Sequence, residues 1–200
     1  MRSLVTWSAA LVLLLTALVR PVQAAPFNED PEALIKIGND LRRKGDDVRA
    51  EGYFQRAYQI AHTPRSAAQL GLVELAVGRY EAAEAHLSEA LAADDSWVQL
   101  HATGLEDSRK RARAHLLNVE LVGAPLGTNV TFANGKVVDL PHDGMLWLSP
   151  GDGSLKVKAP GFQDAEVKAA GKAGDHQKVP LKMSRLVAEA PPAAAPPPAA

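Results

Sequence analysis

Residues 63–92 read TPRSAAQLGLVELAVGRYEAAEAHLSEALA, and the same pattern lies 33 residues upstream. Gly71 repeats Gly38 and Gly78 repeats Gly45. Ala83 and Ala90 repeat Ala50 and Ala57, and Leu87 takes the place of Phe54. The opening recurs as well, because Thr63-Pro64 matches Asp30-Pro31, with Ser96-Trp97 and Gly104 in the same phase downstream. A fixed period carried by small and apolar positions marks stacked helical units.

Each period holds a pair of helices. Glycine and alanine at the inner positions let one helix press closely on its neighbour, while Phe54 or Leu87 fills the space between them. Gly45 and Gly78 stand where a short turn reverses the chain, and glycine accepts positive φ there without steric cost. Asp30 and Thr63 can cap the helices that follow, each with proline in the first turn. The expected helices run over 31–44, 47–62, 64–77, 80–93 and 96–114. Two repeats are fewer than an array needs to stand alone. The fifth helix, in phase through Gly104, is therefore read as a cap that buries Trp97, Leu100 and Leu105. Its basic end, Arg109-Lys110-Arg111 and Arg113, suits the negative end of a helix dipole.

The residues Gly38, Leu41, Gly45, Ala50, Phe54 and Ala57, then Gly71, Gly78, Tyr80, Ala83, Leu87 and Ala90, resemble the tetratricopeptide repeat. That family's repeat is about 34 residues, and Glu74 stands where the family prefers a large apolar side chain. The ankyrin repeat shares the period, and Thr63-Pro64 with Ala67-Ala68 echoes its opening, but the first unit lacks that echo. The tetratricopeptide resemblance implies a groove lined by the first helix of each repeat. Its positions here are Ile35, Asn39, Arg42 and Arg43, then Ala68, Leu72, Leu75 and Ala76. The carboxylate clamp of some family members is not carried over, because Ile35 occupies its lysine position. A half-polar, half-apolar groove suits an extended or helical peptide.

From Leu116 the period changes to strict alternation. Strands are expected at 117–121, 129–132, 136–140, 145–148, 154–158, 164–169 and 177–183, with Asn134-Gly135 as a hairpin signal. Pro150-Gly151-Asp152-Gly153 reads as a turn, and Pro180 confines the last strand to an edge. Seven short strands suggest a small antiparallel β-sandwich. Residues 117–183 resemble the PEGA domain, an extracytoplasmic bacterial module. The signature appears as Pro125-Leu126-Gly127-Thr128, framed by Val130, Asn134-Gly135, Leu140-Pro141, Gly153 and Gly161-Phe162. That resemblance implies an interaction module of the cell envelope rather than an enzyme.

At the amino terminus, Arg2, the apolar run Leu4–Val19 and Val22-Gln23-Ala24 read as a secretory signal over residues 1–24. The apolar run is too short for the roughly 20 residues of a spanning helix. Export to the periplasm or the medium follows. Losing that segment leaves twenty cations against twenty-three acids, a net charge of −3. Residues 186–200, with Pro191-Pro192 and Pro196-Pro197-Pro198, read as an extended, disordered tail. The whole layout is thus α+β in two domains, with helical repeats over 30–115 and the β unit over 116–185.

The chain has no cysteine, which excludes disulfides and thiolate chemistry. Its charge gives no reason to expect nucleic acid. No two of the six histidines share the three- or four-residue spacing that joins imidazoles on a helix. Neither a phosphate-binding glycine loop nor a Gly-x-Ser-x-Gly elbow is present. No catalytic, metal or cofactor site is therefore expected. The expected function is a non-catalytic exported adaptor for protein or peptide partners of the envelope, with glycan or cell-wall binding by the sandwich as the alternative.

Overall fold

The computed structural model describes residues 29–186, so the leader read at 1–24 and the tail beyond Leu186 lie outside the described residues. Five helices come first: α1 (Pro31–Arg43), α2 (Asp47–Ile60), α3 (Pro64–Ala76), α4 (Tyr80–Ala92) and α5 (Ser96–Arg113). All five stand where the sequence places them, each ending a residue or two early. The cap oxygens of α1 and α3 are those expected, and Asp95 caps α5. Asp30 accepts from the Glu32 N–H, Thr63 from Ser66 at 3.1 Å, and Asp95 from Val98 at 3.0 Å.

The turns inside the two pairs are the same structure twice. Gly45 and Gly78 take φ of 78° and 81°. The next amide reaches back to the helix, Asp46 to the Leu41 carbonyl at 3.0 Å and Arg79 to Glu74 at 2.8 Å. This closure satisfies orphan helix carbonyls and aims the second helix back along the first. Across each pair the glycine admits the large side chain opposite it. A Cβ on Gly38 would stand 2.7 Å from the Phe54 ring, and one on Gly71 would stand 2.8 Å from Leu87. Phe54 and Leu87 are fully buried.

The fifth helix corrects the sequence reading. Cap residues Asp30 and Thr63 are 33 apart, but Asp95 follows Thr63 by 32, since α4 has 13 residues and α2 has 14. The position eight past the cap, Gly38 and Gly71 in the pairs, is therefore Thr103. Gly104 is one residue out of phase, and a Cβ there would touch nothing within 4 Å. The same slip puts Gln99 and Glu106 where Leu34 and Leu41 face their partner helix, so α5 closes the array with a polar side. Val98, Leu105 and Ala112 turn inward instead. Leu100, expected in the core, is 82% exposed. It lies two residues, about 200°, around the helix from Val98.

Seven strands follow: β1 (Leu117–Val122), β2 (Asn129–Thr131), β3 (Val137–Asp139), β4 (Met145–Leu148), β5 (Gly151–Lys158), β6 (Ala165–Gly171) and β7 (His176–Pro180). They form a three-stranded sheet ordered β4-β1-β7 and a four-stranded sheet ordered β3-β2-β5-β6. Val119, Leu121, Leu146 and Leu148 from the first sheet share one core with Val130, Leu155, Val157 and Val167 from the second. Two expectations change. The ladders are antiparallel except that β1 and β7 run parallel, Asn118 beside His176 through Val122 beside Pro180. The expected turn at 150–153 is mostly strand, because β5 already starts at Gly151 and pairs with Gly171. The Asn134-Gly135 hairpin is present, with Gly135 at φ 83° and its N–H on the Phe132 carbonyl at 2.9 Å. Pro180 ends the edge strand β7, where its missing N–H costs no ladder bond.

Only 114–116 join α5 to β1, and two further contacts clasp the units. The Ser149 N–H donates to Glu81, and the Arg113 guanidinium lies 4.6 Å from the Trp147 ring centre. No described helix is long and apolar enough to cross a membrane.

Chemical denaturation checks the glycine argument directly. Gly71→Ala should lose about 1–3 kcal/mol, because Leu87 and the α4 backbone leave no room. Gly104→Ala should gain up to about 1 kcal/mol from helix propensity alone. The β1–β7 pairing has its own signature. The Lys178 ammonium, aided by His176, holds the Glu120 carboxyl below the usual range against a smaller opposing effect of desolvation. A depressed carboxylate stabilises above its unfolded pKa and ceases to do so as pH falls through its folded one. Glu120→Gln should therefore lower stability at neutral pH, converge with the unsubstituted chain in acid, and so flatten the acid limb of the unfolding profile; Lys178→Met should weaken the same limb.

Candidate functional site

The first helices of the array carry the expected groove residues, and packing divides them into three sets. Arg42, Leu72, Leu75 and Ala76 meet in one hollow of about 370 Å³ at the C-terminal ends of α1 and α3. Ile35, Asn39 and Arg43 border a separate open hollow with Lys36 and Arg65, although Ile35 is itself only 1% exposed. Ala68 is in the core between α3, α4 and α5 and lines neither hollow.

The 370 Å³ hollow also takes residues that the sequence reading missed. Tyr80 comes from the start of α4, and Arg111, Ala114 and His115 come from the end of α5 and the junction. The basic run was visible in the sequence, but as a solvated helix end. Its second role depends on α5 lying beside α3. Tyr80 and His115 stack with ring centres 3.9 Å apart and 8° between planes, forming one flat wall. Leu72, Leu75 and Ala76 supply an aliphatic floor. Two guanidiniums flank it, and they are engaged differently. Arg42 reaches Asp47 at 3.2 Å, whereas Arg111 donates to the Ser108 hydroxyl at 3.1 Å and pairs with no described carboxylate. No lining residue of this hollow is acidic. Such a surface can hold an aliphatic group with a carboxylate next to it.

Behind the floor, Glu74 resolves its own anomaly. Its carboxylate is buried where the first repeat has Leu41, and it meets His86 Nδ1 at 2.6 Å. Tyr58 packs edge-on against that imidazole and donates to Glu89 at 2.7 Å. Burial first, and then the Glu89 carboxylate, push the Tyr58 hydroxyl up to about 12, so it remains a donor at neutral pH. The partner of Glu74 stands 33 residues after Tyr53, so the two repeats differ by a coordinated pair.

A second concavity of about 380 Å³ opens between the units. Glu81, Glu84, Ser88, Arg109 and Arg113 form its helical wall, and Phe132, Met145 and Trp147 stand on the sheet wall. Arg113 donates twice to Glu84, at 3.1 and 2.7 Å, and Arg109 reaches Glu106 at 2.6 Å. Among the described residues, no group of three or more histidines and carboxylates is placed to hold a metal ion.

No family model matches this chain, and no curated protein matches it.

The buried pair is open to a cycle of substitutions. His86→Leu alone should cost about 1–3 kcal/mol, because it leaves a buried carboxylate without its donor. Glu74→Leu with His86→Tyr, the first repeat's own combination of Leu41 and Tyr53, should recover most of that loss. Equilibrium unfolding of Glu74→Leu, His86→Tyr and their combination gives the coupling.

Proposed function

We propose that this chain is an exported, non-catalytic adaptor whose helical groove holds an acidic, aliphatic peptide segment of a partner in the cell envelope. In this reading the helices are a tetratricopeptide-like array, and the two sheets are a PEGA-like sandwich that presents it. Export is supported by the charged start, apolar run and small-residue site within 1–24. The repeat reading is supported by the duplicated turns at Gly45 and Gly78 and by the duplicated seats for Phe54 and Leu87.

The observation that carries the proposal is the composition of the 370 Å³ hollow. An aliphatic floor with Arg42 and Arg111 beside it, and no lining acid, favours a leucine-like side chain next to a carboxylate. Helix-in-groove and extended-peptide recognition both use such anchors. The stacked Tyr80 and His115 rings limit the floor on one side and give the ligand a rigid edge. Arg42 is held in place by Asp47, which costs the ligand less ordering than a free side chain would.

Selection from a displayed peptide library tests this. Enriched sequences should pair Asp or Glu with Leu, Ile or Val, and their binding should weaken as salt is raised. Arg111→Glu should lower affinity at least about tenfold, an interaction on the order of a charge-assisted hydrogen bond. Enrichment of basic peptides, or binding indifferent to both Arg111→Glu and Leu72→Glu, would overturn the groove assignment.

A further inference from the structure

We infer that the cleft between the helical and sheet units binds a neutral carbohydrate ring, with Trp147 and Phe132 against its faces and the rim carboxylates and amide on its hydroxyls. This site is separate from the peptide groove and does not rest on it. The cleft exists only where the two units meet. Its sheet wall brings Phe132 from the β2–β3 hairpin and Met145 and Trp147 from β4. Opposite them, α4 presents the small residues Ala85 and Ser88, and this leaves the opening its 380 Å³. That is within the range of roughly 300–1,000 Å³ typical of small-ligand sites.

The charges of the helical wall are already engaged: Glu84 is taken by Arg113, Arg109 by Glu106, and Glu81 by the Ser149 amide. An ionic ligand on that wall would have to break one of these contacts before gaining its own. The hairpin side carries both signs, Asp139 and Asp143 beside Lys136, and so offers hydrogen-bonding capacity with little net charge. Asp139 is bonded to the Asn129 amide and Asp143 to the Met145 N–H, yet a carboxylate offers about four lone-pair sites. Asn134 and Lys136 add donors on the hairpin side of the same rim. A pyranose matches this division, with C–H groups on its faces and hydroxyls around its edge.

The aromatic wall is also fixed in advance. Arg113 lies over the Trp147 ring and is itself held by two bonds to Glu84, so the indole is positioned before any ligand arrives. A ring that loses no freedom on binding gives more of its stacking energy to affinity. The contrast with the groove is chemical. The groove is lined by cations and aliphatics without acids, the cleft by aromatics with charges of both signs.

The test uses the whole mature chain, with two neutral probes: the β-1,4-linked tetramer of N-acetylglucosamine and maltotetraose. The two arms separate an amino-sugar wall glycan from a plain glucan. Titration followed by nuclear magnetic resonance should shift the Trp147 indole N–H with at least one probe and leave the Trp97 indole unmoved. Trp147→Ala should weaken binding roughly tenfold, as one aromatic stack would. Asn134→Ala with Lys136→Ala, both exposed on the hairpin, should weaken it without unfolding the sheet unit. Arg111→Glu, in the groove, should leave sugar binding unchanged. No shift at Trp147 with either probe at millimolar concentration would overturn the inference. So would binding that survives both cleft variants, or a Trp147 shift produced by acidic peptides alone.

Discussion

Two glycines hold the helical half together by what they lack. Gly38 and Gly71 let Phe54 and Leu87 approach to distances that no side chain at those positions would allow. With those seats filled, α1 packs along α2 and α3 along α4, and the apolar faces of the pairs close into two clusters that share Tyr58. Interiors packed at this density transmit small changes of volume directly. The hollow beside α3 depends on that contact too, since Leu72, Leu75 and Ala76 stay partly open to it while Gly71 and Val73 are buried.

Helix α5 performs three tasks with different sides of one cylinder. Val98, Leu105 and Ala112 complete the core, while Gln99, Thr103 and Glu106 present a polar end to solvent where another helix would otherwise stack. Its last turn supplies Arg111 to the groove and Arg113 to the clasp with Trp147. Groove and cleft thus share a rigid element, two residues apart on the same turn. The three-residue junction then delivers β1 into the middle of its sheet, between β4 and β7. That central position lets Glu120 meet both His176 and Lys178 across the parallel pair.

The helical half was largely legible because its signals are local. Caps at Asp30 and Thr63, turn glycines at 45 and 78, and the small-to-large exchange across each pair all act within a few residues or one period. Gly104 shows how such a reading goes astray. It keeps the numerical period but not the phase, because α4 is one residue shorter than α2, and helix phase is counted from the cap. Glu74 appeared as a blemish in the repeat, and became intelligible only when folding brought His86 against it. The groove positions taken from the resemblance include Ala68 and Leu72; Ala68 is fully buried among α3, α4 and α5, while Leu72 packs partly against the same cluster and also lines the hollow.

By itself the sequence determined the order of elements, five helices and then seven strands, since period, capping and turn chemistry are properties of short stretches. Tertiary structure alone decided that β7 returns parallel beside β1, that Arg111 and His115 join Leu72 in one hollow, and that Trp147 lies under Arg113 at the mouth of a cleft. Those are meetings of residues tens of positions apart. No local propensity encodes them, because they arise only when whole apolar faces are driven together and leave particular polar side chains at the seams.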